Sequence, residues 1–407
     1  MRKGLFFSLP SVSISKTITT IVDRLPKDQF DIVYYNREGY QSKVANGLRF
    51  KAYPDYEKGY DTDRIDAGTS YFQFAETLVD TTISLLDFLC EEVEREKPDF
   101  ILHSQLATWG KWIARRYGLP AVGLFITFVM DERIMLPYFR KMRSSMGAAS
   151  GDINDVLGLH KKLQGLYKRL DLEGRPDIWD VYVNREALNL SSILPAFQPE
   201  PQLLDGRYKF VGFPTTVEAG RKEKELIYVS MGTVLNKDLS IYVLIIDVLK
   251  ELGVESVVAM GRDIDLLQFG PLPSFIHVMG FIDQEAMLKE TTLFITRGGM
   301  SSIQQAMYKH TPVVVIPEIP EQQMTAATVE KLGVGIHIPA HQVSGPVLRD
   351  AILRIRDNYQ QYLGCVKTLC ETVPDHAPHE LAAAYIEEYL HNCEAPGEQN
   401  RIGDSNK

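Results

Sequence analysis

Short apolar runs and longer helical repeats alternate from one end of this chain to the other. In the first half the runs are GLFFSLP, FDIVYYN, LRFKAYP, DFILHS, AVGLFI and LSSIL; in the second they are LIYVSM, SVVAMG, FIHVMG, LFIT and PVVVIP. Between them lie helix-like stretches such as SKTITTIVDRL, FQFAETLVDTTISLLDFLCEEVERE, WGKWIARRYG, IYVLIIDVLKELG, SSIQQAMYK and MTAATVEKLG. Strands of continuous rather than alternating apolar character, joined by helices, predict parallel sheets covered on both faces. Two such sets predict an α/β protein of two doubly wound, Rossmann-like domains. The sets are separated by a stretch that carries Pro195, Pro199, Pro201 and Pro214 and has no helical period. The expected organisation is a first domain over 1–200, a linker over 201–222 and a second domain over 223–375. A helix near 376–392 is expected to pack back on the first domain, followed by a tail over 393–407.

A chain of 407 residues suits two cores. Its 45% apolar and 24% charged content is that of a soluble globular protein, and a net charge of -9 offers no footprint for nucleic acid. Cys90, Cys365, Cys370 and Cys393 show no paired spacing, so neither a zinc site nor a disulfide framework is indicated, and a reducing cytoplasm is expected. The start MRKGLFFSLP imitates a secretory signal, but Pro10 and the serines after it end the apolar run early; it reads as a first buried strand. Nowhere does the apolar character last the 18 residues a membrane span needs. In GLHKKLQGLYKRLDL, Leu159, Leu163, Leu166 and Leu170 share one helical face, with Lys161, Lys162, Lys168 and Arg169 elsewhere. Packing on the helix's own domain is favoured there over docking on an anionic membrane.

Candidate chemistry concentrates in ITRGGMSS, residues 295–302, where a buried run hands over to a helix. A helix start offers unpaired N–H groups and partial positive charge, Gly298 and Gly299 allow close backbone approach, and Arg297 adds forked donors suited to phosphate oxygens. A tight structural turn explains the same letters equally well. The order of motifs around it shifts that balance. IYVSMGTVLN, then HVMGFIDQEAML, then LFITRGGMSSIQQAMYKHTPVVVIPEIPEQQMTAATVEKLGVG resembles the donor half of nucleotide-sugar glycosyltransferases. The match is to the bacterial macrolide-glycosyltransferase branch of the UDP-glycosyltransferase family, and PDFILHSQLATWGKWIARRYGLPAV and FQPEPQLLDGRYKFVG are similar to its first domain and linker. The resemblance implies a GT-B fold, with two Rossmann-like domains facing across a cleft. It also implies an inverting, metal-independent transfer with no cofactor beyond a nucleotide diphosphate sugar, UDP favoured over dTDP.

Carried over by position, the resemblance gives Phe281 a stacking role on the nucleobase and points Gln284 at the ribose. Thr233 would meet phosphate. Arg297 stands where a histidine contacts the diphosphate, beside Gly299, Ser301 and Ser302 at the helix start. Gln305 stands where a ribose-binding glutamate is usual, and Glu321 with Gln322 forms the pair that hydrogen-bonds the sugar. Asp283 replaces a usual proline and Ser301 a usual asparagine; Arg297 and Gln305 together make the site more positive than the family pattern. The catalytic dyad departs further. Its histidine position holds Ser13 and its aspartate position Ser104, with His103 one residue earlier. Serine is a poor base near neutral pH, whereas sugar transfer must remove a proton from the acceptor hydroxyl. Three sources of help stay open: His103, the acids Asp131 and Glu132 in the next loop, or an acceptor needing little assistance, such as an acidic phenol, an enol or a carbon nucleophile. A non-catalytic homologue that binds nucleotide or a partner transferase is the alternative, and a homodimer is also open. Phe72, Phe74, Phe125, Phe128, Tyr138 and Phe139 fall in segments that line the acceptor crevice in relatives, which suggests a small lipophilic acceptor. No G-x-G-x-x-G follows either first strand, which disfavours a reductase.

Overall fold

Apolar residues on both faces of nearly every strand oblige the sheets to sit between helices. In the computed structural model the first half runs β1 (Arg2–Phe7), α1 (Val12–Asp23), β2 (Phe30–Asn36), β3 (Arg49–Ala52), α2 (Tyr71–Glu96), β4 (Phe100–Ser104), α3 (Thr108–Tyr117), β5 (Ala121–Phe125), α4 (Ile153–Leu170), α5 (Trp179–Val183), β6 (Leu188–Ser191) and β7 (Tyr208–Phe210). The second runs β8 (Ile227–Ser230), α6 (Leu239–Leu252), β9 (Ser256–Ala259), β10 (Ile276–Met279), α7 (Gln284–Glu290), β11 (Leu293–Thr296), α8 (Met300–Tyr308), β12 (Val313–Val315), α9 (Pro320–Lys331), β13 (Gly335–His337), α10 (Gly345–Asp357), α11 (Tyr359–Cys370) and α12 (Pro378–Glu394). The structure describes the chain apart from residues 44–47, 55–70, 131, 136–152, 219, 221, 223, 233–238, 262–268, 281 and 395–407, and apart from the side chains of 12–15, 42, 43, 71 and 153.

All strand pairs are parallel, in the orders β3-β2-β1-β4-β5-β6-β7 and β10-β9-β8-β11-β12-β13. Central strands β4, β5, β6 and β11 are buried along their whole length, as the continuous apolar runs predict. Two strands were not announced by the sequence. Residues 208–210, inside the expected linker, pair with β6 as the edge strand β7, and β13 is likewise three residues long. Too short for a period, both are called into place by their neighbours. The run LSSIL is divided: Leu190 belongs to β6, while Ile193 and Leu194 enter the core under the second sheet.

That second core joins the halves, since Phe128, Ile193, Leu194, Phe197 and Phe213 pack there with Met300, Ile303 and Met307 of α8. Helix α12 returns to the first half, where Ala382, Ala383, Ile386 and Leu390 share a cluster with Ile18, Ile21 and Val22 of α1. No helix among the described residues is long and apolar enough to cross a membrane. On α4, Leu159, Leu163, Leu166 and Leu170 are all buried in the core that also holds Leu78, Leu85 and Leu89 of α2, so that stripe is packing. Leu163→Ala is therefore expected to cost about 2–5 kcal/mol in urea unfolding, while wild-type protein leaves anionic vesicles unbound in a sedimentation assay.

Candidate donor crevice and the transferase family

Strand order reverses once in each sheet, between β1 and β4 and between β8 and β11. Helices leave such a switch point in opposite directions and open a crevice beyond the carboxyl ends of the strands. In the second sheet β8 and β11 end in register, Ser230 beside Thr296, and Arg297 follows at once. Gly298 takes φ +90, where a Cβ would also lie 2.5 Å from Val315 Cγ1, so only glycine fits this turn. Gly299 is the N-cap residue of α8, and a Cβ there would meet nothing within 4 Å, which leaves its face open. Among the described residues no side chain caps the first turn of α8. Its leading amides thus keep their donors and their partial positive charge.

Arg297 is only 7% exposed. Its Nη2 lies 3.2 Å from Glu318 Oε2, but that oxygen and Arg297 Nε are both buried without a hydrogen bond among the described residues. Glu318 thus sets a negative charge against the positive charge of Arg297. Tyr242 of α6 also belongs here. Its hydroxyl is buried, and burial pushes its pKa up to about 12, while the Arg297 charge and the Met231 backbone pull the other way.

Along α8 from Arg297, three of the expected residues meet. Gln284 Nε2 donates to Ser302 Oγ at 3.1 Å and to Gln305 Oε1 at 2.7 Å. Gln305 borders a cavity of about 710 Å³ whose far walls are α1, the connecting residues 211–217 and residues 373–379. Asp283 has a local reason to replace proline: its carboxylate caps α7, accepting from Glu285 N and Ala286 N. Ser301 sits half-buried in the first turn of α8. Glu321 Oε1 accepts a 2.7 Å hydrogen bond from Thr127 Oγ1 of the first half. Desolvation raises its carboxyl pKa and the Thr127 bond opposes this. The residue keeps solvent access, which is the better guide to its charge. Gln322 is spent partly on its own helix, with Oε1 accepting from Glu318 N at 2.9 Å and Ile319 N at 3.3 Å. Thr233 and Phe281 lie outside the described residues.

At the first switch point Ser104 Oγ accepts from Leu9 N at 3.1 Å and so ties down the loop after β1. Ser13 falls on α1, and its side chain is not described. His103 points into the helix layer. It is fully buried, its Nε2 lies 3.0 Å from Glu186 Oε1, and a Cβ on Gly110 of α3 would come within 2.4 Å of its own Cβ. Such a group is structural and is not presented to the cleft. Glu132 is ion-paired with Arg185 at 3.3 Å, and Asp131 lies outside the described residues. Of the aromatics expected to line an acceptor crevice, Phe125 and Phe128 are 1% exposed core residues, and Phe72 and Phe74 pack against the α2 and α4 cluster. Tyr138 and Phe139 are not described. Sequence reasoning missed Glu318, Tyr242 and Thr127. Glu318 alone carried a signal, as an acid at the end of a buried strand.

The description "Erythromycin biosynthesis protein CIII-like, C-terminal domain" matches residues 243–388. The chain is 28% identical to the uncharacterized UDP-glucosyltransferase YojK of Bacillus subtilis, over 81% of this chain and 83% of that one. Among solved structures it superposes on the glycotransferase of kitacinnamycin with a TM-score of 0.81 at 22% identity, covering 96% and 99% of the two chains. It also superposes on the spinosyn rhamnosyltransferase SpnG complexed with thymidine diphosphate, with a TM-score of 0.71 at 17% identity, covering 95% and 100%. The chain is a glycosyltransferase of GT-B fold, similar to those of the macrolide type. In this transferase the imidazole of His103 holds β4 to Glu186, so His103→Gln is expected to cost about 1–3 kcal/mol in chemical unfolding. Transfer per folded molecule and the shape of its pH–rate profile should stay as in the wild type.

Proposed function

We propose that this glycosyltransferase moves a hexose from a nucleoside diphosphate sugar to a small lipophilic acceptor with inversion. The observation that carries the reading is the start of α8, where, among the described residues, the first turn is uncapped and the buried guanidinium beside it has no acceptor at Nε. A pyrophosphoryl group satisfies both. The Gln284–Ser302–Gln305 network lies within two turns of that start, about 5–9 Å along the axis. That is the reach from a diphosphate to the hydroxyls of its ribose, and the adjoining cavity of about 710 Å³ has room for the nucleoside. Glu321, on the next helix start and facing the first half through Thr127, suits the hydroxyls of the sugar. The name of the Bacillus relative favours a uridine donor, and the thymidine diphosphate held by the spinosyn enzyme makes dTDP the natural second candidate.

Acceptor chemistry follows from what the first switch point lacks. Ser104 is committed to Leu9 N and His103 to Glu186, so neither is placed to take a proton. Acceptors whose oxygen is already acidic, or carbon nucleophiles, need the least help from such a site. The positive start of α8 and Arg297 would stabilise the charge that develops on the departing diphosphate. Calorimetry with UDP and dTDP tests the donor half. Wild type is expected to bind at least one, and Arg297→Ala to weaken it by roughly 10- to 100-fold. Release of free nucleoside diphosphate with a panel of phenols and aliphatic alcohols tests the other half, the phenols reacting faster. No heat with either nucleotide at millimolar concentration would end the reading.

A further inference from the structure

The guanidinium of Arg297 has a charge partner but an ill-fitting one. A cation buried this deeply needs an anion close by, and Glu318 Oε2 at 3.2 Å supplies the charge. It does not supply the geometry, since neither that oxygen nor Arg297 Nε is hydrogen-bonded among the described residues. Glu318 is held from behind. Gln322 Oε1 receives its backbone N–H at 2.9 Å, which fixes the turn between β12 and α9 whatever the carboxylate does. The Glu318 side chain is 32% exposed against 8% for Arg297, so the acid has an exit to solvent and the base has none.

We infer that Glu318 is an internal competitor for Arg297, a tethered carboxylate that occupies the guanidinium until a diphosphate displaces it. This rests on the donor reading above. Tethering gives the carboxylate a high effective concentration at Arg297, so an incoming phosphate must offer more than charge. A nucleoside diphosphate does, because the amides of α8 and the Gln284–Gln305 network hold its other parts. Glu318 thereby lowers the affinity of every ligand that must take Arg297, and it returns to the guanidinium as the spent nucleotide leaves. The acid is a positioning and release element, in contact with the group that grips the diphosphate rather than with the reacting atoms.

Affinities of UDP, inorganic pyrophosphate and uridine for wild type, Glu318→Gln, Arg297→Ala and the double variant form the test. Glu318→Gln is expected to bind UDP and pyrophosphate each roughly tenfold more tightly, with uridine unchanged because it carries no phosphate. In the Arg297→Ala background the same change should have no effect, since the competition is lost with the guanidinium. Glu318→Asp, which keeps the charge, should stay near wild type and guards against a simple packing effect. Unchanged or weaker UDP binding by a folded Glu318→Gln protein overturns the inference, as does equal tightening toward uridine. Wild type that binds UDP but gains nothing from Glu318→Gln refutes this inference alone; absence of UDP binding in wild type and all variants refutes the donor reading beneath it.

Discussion

The start of α8 sets the terms for the rest of the second half. A parallel strand that feeds a helix leaves several amides without partners, and most proteins close them with a side chain. The flanking helices here do so: Asp283 caps α7, and Gln322 returns its carbonyl to the turn before α9. Between them α8 stays uncapped, with a glycine at the cap and another in the left-handed region before it. That omission is affordable only where something else meets the amides. Buried Arg297, the buried Tyr242 and misaligned Glu318 surround the same spot. A half-satisfied polar cluster inside a well-packed sheet edge is a site rather than a core.

Much of this could be read from the letters, and the parts that could not share a cause. Continuous apolar runs gave away parallel strands because burial on both faces leaves no polar alternation, and the two doubly wound sheets followed. ITRGGMSS announced the sharp turn from β11 into α8, because paired glycines at a strand end mark a change of direction. Edge strands β7 and β13 were silent, being three residues long and stabilised by pairing rather than by their own pattern. Pairings across sequence distance were silent too. Nothing in the order of residues says that Arg297 meets Glu318, that Glu321 meets Thr127, or that His103 turns toward Glu186. The aromatic residues show the converse error, since Phe125 and Phe128 look like ligand contacts in sequence and are core in space.

The two halves are joined in a way that couples donor and acceptor sides. Leu194 N donates to Gln304 Oε1 at 2.9 Å and Phe213 N to Tyr308 Oη at 3.0 Å, so the far face of α8 carries the inter-half contacts while its start faces the crevice. Lys309, just beyond, holds the connecting segment through Thr216 O at 2.9 Å and pairs with Glu285 of α7 at 3.2 Å. One helix therefore bears both the proposed donor cradle and the seam. A shift of the halves must move the cradle relative to Thr127, whose hydroxyl reaches Glu321 from the first half.

The serines at the dyad positions place the chemical burden elsewhere. At the first switch point Ser104 performs a task that a carboxylate could also perform, fixing the loop after β1 through Leu9 N, and it does so without charge. An aspartate there would carry a buried charge that one backbone N–H offsets only in part. A neutral serine avoids that cost. What remains to lower the barrier is the leaving group. A guanidinium and a helix start aimed at a diphosphate act on the bond that breaks rather than on the proton that moves. The balance suits an acceptor that arrives nearly deprotonated.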